Sequence, residues 1–231
     1  MSEATASGMS VSCAIGRHQF LLRRLHSLTG LVFGGYIIIH LLTNASLAQG
    51  TNPDMFQAQV DKIHSLPFLW AIEWTFIYLP ILFHTFYGIY IIVTGQPNTD
   101  QYPYTRNYLY LWQRISAVVI AAFIFFHVLA MKGWFTNSLT FHPDDATASV
   151  ARHMRASVFV AFGIYPIGIL ASCYHLANGF FTGAITWGLT ISAAAQKRWG
   201  MVCVGIFLFS FGCGMLALAA AIRDGYIIVH S

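Results

Sequence analysis

Charge is what this sequence has least of. Only 9% of its 231 residues are Asp, Glu, Lys or Arg, whereas a water-facing domain carries about 25%. So few charges cannot wet a whole surface, which excludes an ordinary soluble globule. No basic run interrupts the chain, and a net charge of +4 gives no reason to expect nucleic acid as a partner. Cysteine is equally sparse. Cys13, Cys173, Cys203 and Cys213 form no CxxC pair, a spacing that suits neither zinc nor an iron–sulfur cluster. Cys173, Cys203 and Cys213 lie in apolar stretches and read as small membrane-core residues, with Cys13 as a free thiol. The first 26 residues contain no apolar block of signal-peptide length, so the N-terminus is expected to be retained.

What the sequence has instead is apolar mass: 57% hydrophobic residues, with 19 Phe, 11 Tyr and 6 Trp. A spanning helix needs about 20 mostly apolar residues. Five stretches qualify, at 28–48, 68–94, 109–131, 156–181 and 200–222. Alternating segments of the kind that build a closed barrel are not seen. The expected fold is all-α, one membrane domain over 1–231 built as a bundle of five transmembrane helices. Arg17, Arg23 and Arg24 precede the first helix. The positive-inside rule then puts the N-terminus inside and the C-terminus outside. The expected location is the inner (cytoplasmic) membrane of a bacterium, with the chain crossing it several times.

Ionisable residues inside a bilayer are rare and usually functional. Here the first four helices each carry one histidine away from their ends: His40, His84, His127 and His175. The helices alternate in direction, so His40 and His127 fall in the outer half and His84 and His175 in the inner half. The two levels differ by roughly 10–15 Å at the rise of a helix. Two bis-imidazole sites at two depths are what a transmembrane electron route through two haems requires. Haem iron ligated on both faces by imidazole has no open position for oxygen chemistry. Glycine follows each inner histidine by four residues, at Gly88 and Gly179. Residues so spaced share a helix face, so these glycines either clear a porphyrin or pack one helix on another.

Ordered segments now bear on family. RRLHSLTG (23–30), IIIHLLTN around His40, HSLPFLWAIE (64–73) and LPILFHTFYGIYI (79–91) are followed by QYPYTRNYLYLWQR (101–114). Then come FFHV around His127, CYHLANGFF (173–181) and TWGLTISAAAQKRWG (186–200). Together they resemble, over nearly the whole chain, the five-helix di-haem cytochrome b subunit of succinate:quinone and quinol:fumarate oxidoreductases. The resemblance implies two haems b, with His84 and His175 as axial iron ligands of the inner one and His40 and His127 of the outer one. It implies a flavoprotein subunit that interconverts succinate and fumarate, and an iron–sulfur subunit docked on the inner face. It also implies a quinone, with menaquinone expected, as electron partner near the outer haem. The chain itself carries no dinucleotide fingerprint and no cluster-type cysteines. Its share of the oxidoreductase is therefore the haems and the quinone site, not succinate chemistry.

Haem propionates are anions and need donors near the interface. Arg24, His26 and Ser27 at the start of the first helix, with Trp112 and Arg114 at the start of the third, are candidates for the inner haem. Arg152 and Arg155 are candidates for the outer. Each also reads as ordinary interfacial anchoring. Quinone chemistry couples electrons to protons and needs a proton-exchanging group. Glu73 and Asp61 are candidates, with His64 between them. Some family members carry a glutamate two residues before the ligating histidine of the fourth helix. Here that position is Cys173, which leaves a transmembrane proton path without its carboxylate. Two rival readings are a di-haem cytochrome b serving another quinone-linked dehydrogenase or hydrogenase, and a non-haem transporter using the histidines for protons or metal ions.

Overall fold

Backbone groups in lipid must find partners within the chain, which leaves helices as the economical solution for these segments. The computed structural model describes residues 3–50, 54–96 and 99–227, with side chains described from His18 onward except Ser138 and Ile227. The side chain of Cys13 lies outside the described residues. Seven helices are described: α1 Glu3–Ala45, α2 Met55–His64, α3 Leu69–Thr94, α4 Thr105–Met131, α5 Ala146–Arg155, α6 Val160–Thr186 and α7 Ala193–Ile227. No strand occurs among the described residues. Five of the helices are long and apolar enough to cross a membrane: His18–Gln49 within α1, then α3, α4, α6 and Ala193–Tyr226 within α7.

Most of these helices run beyond the limits read from hydropathy. The reason is that hydrogen bonding ends a helix, not polarity. Arg23 and Arg24 in α1, and Lys197 and Arg198 in α7, lie on helix that continues past the apolar core. Their long stems allow the charged ends to reach the interface.

Two helices are not uniform. In α3 a π turn covers Trp74–Tyr78 just before Pro80, and in α6 another covers Val160–Ile164 just before Pro166. Proline lacks an N–H and cannot close the ordinary bond to the carbonyl four residues back. The helix takes up a wider turn instead: the N–H of Leu79 reaches the Trp74 carbonyl, and that of Tyr165 reaches the Val160 carbonyl. Such turns favour functional sites.

The ends are closed by polar side chains. Arg114 in α4 donates to the Ile91 and Gly95 carbonyls at 3.0 Å each, supplying donors that the C-terminus of α3 lacks. Its guanidinium also lies 4.4 Å from the Tyr110 ring centre. At the opposite end, α2 and α5 form a polar-stitched cap. Asp54 accepts from the Gln57 N–H at 3.0 Å and from the Thr147 hydroxyl at 2.9 Å. Gln57 donates to the Pro143 carbonyl and accepts from the Ala146 N–H, each at 2.7 Å.

Glycine sets the closest helix crossings. A Cβ at Gly34 would stand 2.6 Å from Leu176 Cδ1, and one at Gly214 would stand 2.6 Å from Ile169 Cγ2. Small residues at interfaces are how membrane helices approach. Exposed Trp70, Trp74 and Trp134 ring one end of the bundle, and Tyr104, Tyr110 and Trp112 ring the other, as aromatic belts do. Gly214→Val is expected to lower stability by about 1–3 kcal/mol through overpacking, read as a lower unfolding midpoint in detergent.

Candidate metal centres

The fold brings the four histidines together in two pairs. His40 (α1) and His127 (α4) have ring centres 6.1 Å apart, with planes at 77°. His84 (α3) and His175 (α6) also stand 6.1 Å apart, at 88°. Two imidazoles bound in line on opposite faces of one metal, with metal–nitrogen bonds of about 2 Å, have ring centres about 6 Å apart. Both pairs therefore have the span of a bis-imidazole site. Along α1, His84 lies against Gly30 and His26, whereas His127 lies against His40. Along α6, Tyr165 meets one pair and His175 belongs to the other. The two levels are thus about 15–20 Å apart by helix rise, at or beyond the upper end of the spacing read from the sequence.

Ligation by Nε2 of a neutral imidazole leaves the proton on Nδ1, which in metal sites is almost always donated to an acceptor. The His84 Nδ1 faces the His26 carbonyl at 3.0 Å. The His175 Nδ1 faces the Gln113 carbonyl and the Ser116 hydroxyl, each at 3.2 Å. The His127 Nδ1 faces the Tyr165 hydroxyl at 2.9 Å. In all three the Nδ1 contact leaves Nε2 as the nitrogen available to a metal. His40 differs. The Asn44 amide lies 3.4 Å from its Nε2 and also donates to the His40 carbonyl at 2.8 Å. Asn44 would keep the second bond if Nε2 turned to a metal.

Among the described residues no three His, Cys, Asp or Glu side chains converge on one point. A bare ion would find only two protein ligands in either pair, whereas a porphyrin brings its own four nitrogens. The residues present therefore fit haem better than a naked transition metal. Around the His40–His127 pair lies a cavity of about 330 Å³, walled by all five long helices. Its lining is mostly apolar, as ligand pockets are. The polar groups on it include Glu73, Asn44, Tyr36, Tyr78, Tyr165 and Lys132.

The other sequence candidates distribute unevenly. Glu73 lines this cavity, beside the π turn of α3. Asp61 is exposed on α2, where it accepts from Gln57 at 2.8 Å, and His64 is exposed at the end of the same helix. Neither lines the cavity. His26 stacks on His84, with ring centres 4.0 Å apart and planes at 9°, and its Nδ1 is buried without a hydrogen-bond partner. Ser27 accepts from the Trp187 indole at 3.1 Å, and Arg24 lies between the rings of Phe20 and Trp187. Arg114 is engaged in closing α3, and Trp112 is 55% exposed on the rim of the bundle. Arg152 is paired with Asp145 at 2.9 Å on the surface. Neither Arg152 nor Arg155 lines the cavity; the cation that does is Lys132, which the sequence reading passed over.

The glycines also sort. The missing Cβ of Gly88 faces His26 Cε1 at 3.3 Å, and that of Gly179 faces Gln113 Nε2 at 3.8 Å. Both face side chains of neighbouring helices. The glycine that seats a histidine ring is Gly30, on the opposite helix, where a Cβ would stand 2.5 Å from His84 Cε1. It closes the segment RRLHSLTG, so its signal was present but had no partner to point at. Gly30→Val is expected to displace His84 and remove metal from the His84–His175 site. The His40–His127 site should be retained, as scored by haem content per chain. Arg114→Ala should lower stability by about 1.5–3 kcal/mol, the worth of hydrogen bonds to a charged donor, with haem content unchanged.

No protein-family model matches the chain. It is 33% identical over 209 residues to the succinate dehydrogenase cytochrome b558 subunit of Bacillus subtilis (strain 168), a match covering 89% of this chain and 98% of the relative.

Proposed function

Because the chain belongs to the family of membrane-anchor cytochrome b subunits of succinate dehydrogenase and fumarate reductase, we propose that it carries two haems b. In this reading His40 with His127 hold one and His84 with His175 the other. Haem held by these histidines would supply one-electron chemistry between an iron–sulfur subunit and a quinone, with menaquinone as the expected partner. The observation that carries this reading is the twice-repeated 6.1 Å spacing of paired imidazoles. A flavoprotein subunit supplies the succinate–fumarate chemistry.

The N-terminus lies on the cytoplasmic side of a bacterial inner membrane, on the strength of Arg17, Arg23 and Arg24 ahead of the first span. The His84–His175 level is then the inner one, nearest the iron–sulfur subunit. The His40–His127 level is the outer one, nearest the quinone. Tyr165, Gln113, Ser116 and the His26 carbonyl orient the imidazoles. The apolar walls around His40 and His127 exclude water. Glu73, on the wall of that cavity, exchanges the proton that quinone chemistry needs. Asp61, on the exposed face of α2, stands behind it as the weaker candidate. Lys132 at the outer level and the Arg24–His26–Ser27 turn at the inner one would hold the anionic haem edges.

The test is a redox difference spectrum of the complex purified from membranes, with haem quantified per polypeptide. Two low-spin haems are expected, and zero or one would overturn the reading. His127→Ala should remove the outer haem and keep most of the inner. Glu73→Gln should slow quinone turnover by about 10²–10⁴-fold, the worth of a general acid–base group, at unchanged haem content. Asp61→Asn should have the smaller effect.

A further inference from the structure

Resting on the di-haem reading above, we propose that Tyr165 is the positioning residue for His127. We further propose that His153 holds Tyr165 in place, so that this side-chain train tunes the His40–His127 haem separately from the other. The asymmetry is in the acceptors. Behind His84 and His175 the Nδ1 partner includes a backbone carbonyl, of His26 and Gln113, and the helix fixes it. Behind His127 it is a phenol, 2.9 Å away. For Nε2 to meet a metal, Nδ1 must donate and the phenol oxygen must accept. An acceptor at this position makes the imidazole a stronger electron donor to the metal, and second-shell hydrogen bonding is one lever on haem potential. Removing it weakens the ligand and favours reduced iron.

Tyr165 is unusually well held for a side chain that could otherwise rotate. It is 8% exposed and sits between the π turn Val160–Ile164 and Pro166. The Phe123 ring meets it edge-on at 5.4 Å and 88° while stacking on His127 at 5.9 Å and 25°. Gly168, one turn further along α6, leaves room for Phe123, whose ring a Cβ there would strike. From the other side comes His153 of α5, ring centre 5.6 Å from that of Tyr165 at 66°. His153 is 2% exposed, and neither ring nitrogen has a hydrogen-bond partner. The Tyr165 ring is the aromatic face that His153 packs on. Its helix neighbours Val150 and Met154 line the cavity, so α5 reaches the outer site through this row.

The test is a redox titration with low-spin haem spectroscopy on the purified complex, comparing Tyr165→Phe, His153→Ala and His153→Phe with the parent. Tyr165→Phe should keep two haems, raise the midpoint of one and change its spectroscopic signature, leaving the other unmoved. His153→Ala should shift the same haem in the same direction by less. His153→Phe, which keeps a ring against Tyr165, should titrate like the parent. A Tyr165→Phe protein with both midpoints unchanged, or with both moved equally, overturns the proposal. Should Tyr165→Phe fail to assemble, an unshifted His153→Ala overturns it. A parent complex without two haems defeats the underlying reading instead, and that is seen before any variant is made.

Discussion

An imidazole inside an apolar bundle is costly unless its nitrogens find partners. That constraint organises this molecule. A polar group left unpaired in such surroundings costs on the order of several kcal/mol, and four helices each carry one well inside the span. The bundle meets the cost by bringing the rings into two pairs and by setting an acceptor behind three of the four Nδ1 atoms. The close approach of Gly30 to His84 and the Phe123–Tyr165 contact follow from that arrangement. So do the links from α4 to α6 through Gln113, which binds the His175 carbonyl and Asn178. The crossings of the bundle and the ligand geometry are one problem solved once.

The two levels are built differently. Around His84 and His175 the neighbours are side chains and helix carbonyls, with His26 stacked directly on the ring. Around His40 and His127 there is a cavity, roofed by α2 and α5, whose buried residues pack against the ends of the long helices. The roof is tied by Asp54 and Gln57, and the end of α7 is tied to the turn after α1 by Arg223, which donates to the Leu47 carbonyl at 3.1 Å and pairs with Asp224.

Much of this was legible in the sequence. The five spans follow from apolar length, and one histidine per helix is visible by eye. Sorting the histidines by depth places His40 with His127 and His84 with His175, which are the rings that the structure sets 6.1 Å apart. Depth is readable because it is one-dimensional: helix rise and alternating direction suffice. Azimuth is not readable in the same way. Which helix faces which decides that Gly30, not Gly88 or Gly179, seats His84. It decides that Tyr165 and not a carbonyl backs His127, and that Lys132 and not Arg152 or Arg155 borders the cavity. Arg114 shows the same limit. Its charge and position fit an anion site, but the unsatisfied carbonyls at the end of α3 were closer. The helix α5 falls outside the five apolar stretches because at ten residues it is too short and too polar to register as a span.

The π turns carry a consequence for the two levels. Each residue advances an α-helix by about 100°, so a turn that accommodates one extra residue rotates everything beyond it relative to everything before. In α3 the turn separates Glu73, which lines the cavity, from His84, which belongs to the other level. In α6 it falls just before Tyr165. The two halves of α3 are therefore set at independent angles, like two keys cut on one shaft. A single continuous α-helix would have tied the bearing of the carboxylate to that of the imidazole. The wider turn, enforced by Pro80, lets each be aimed by its own surroundings.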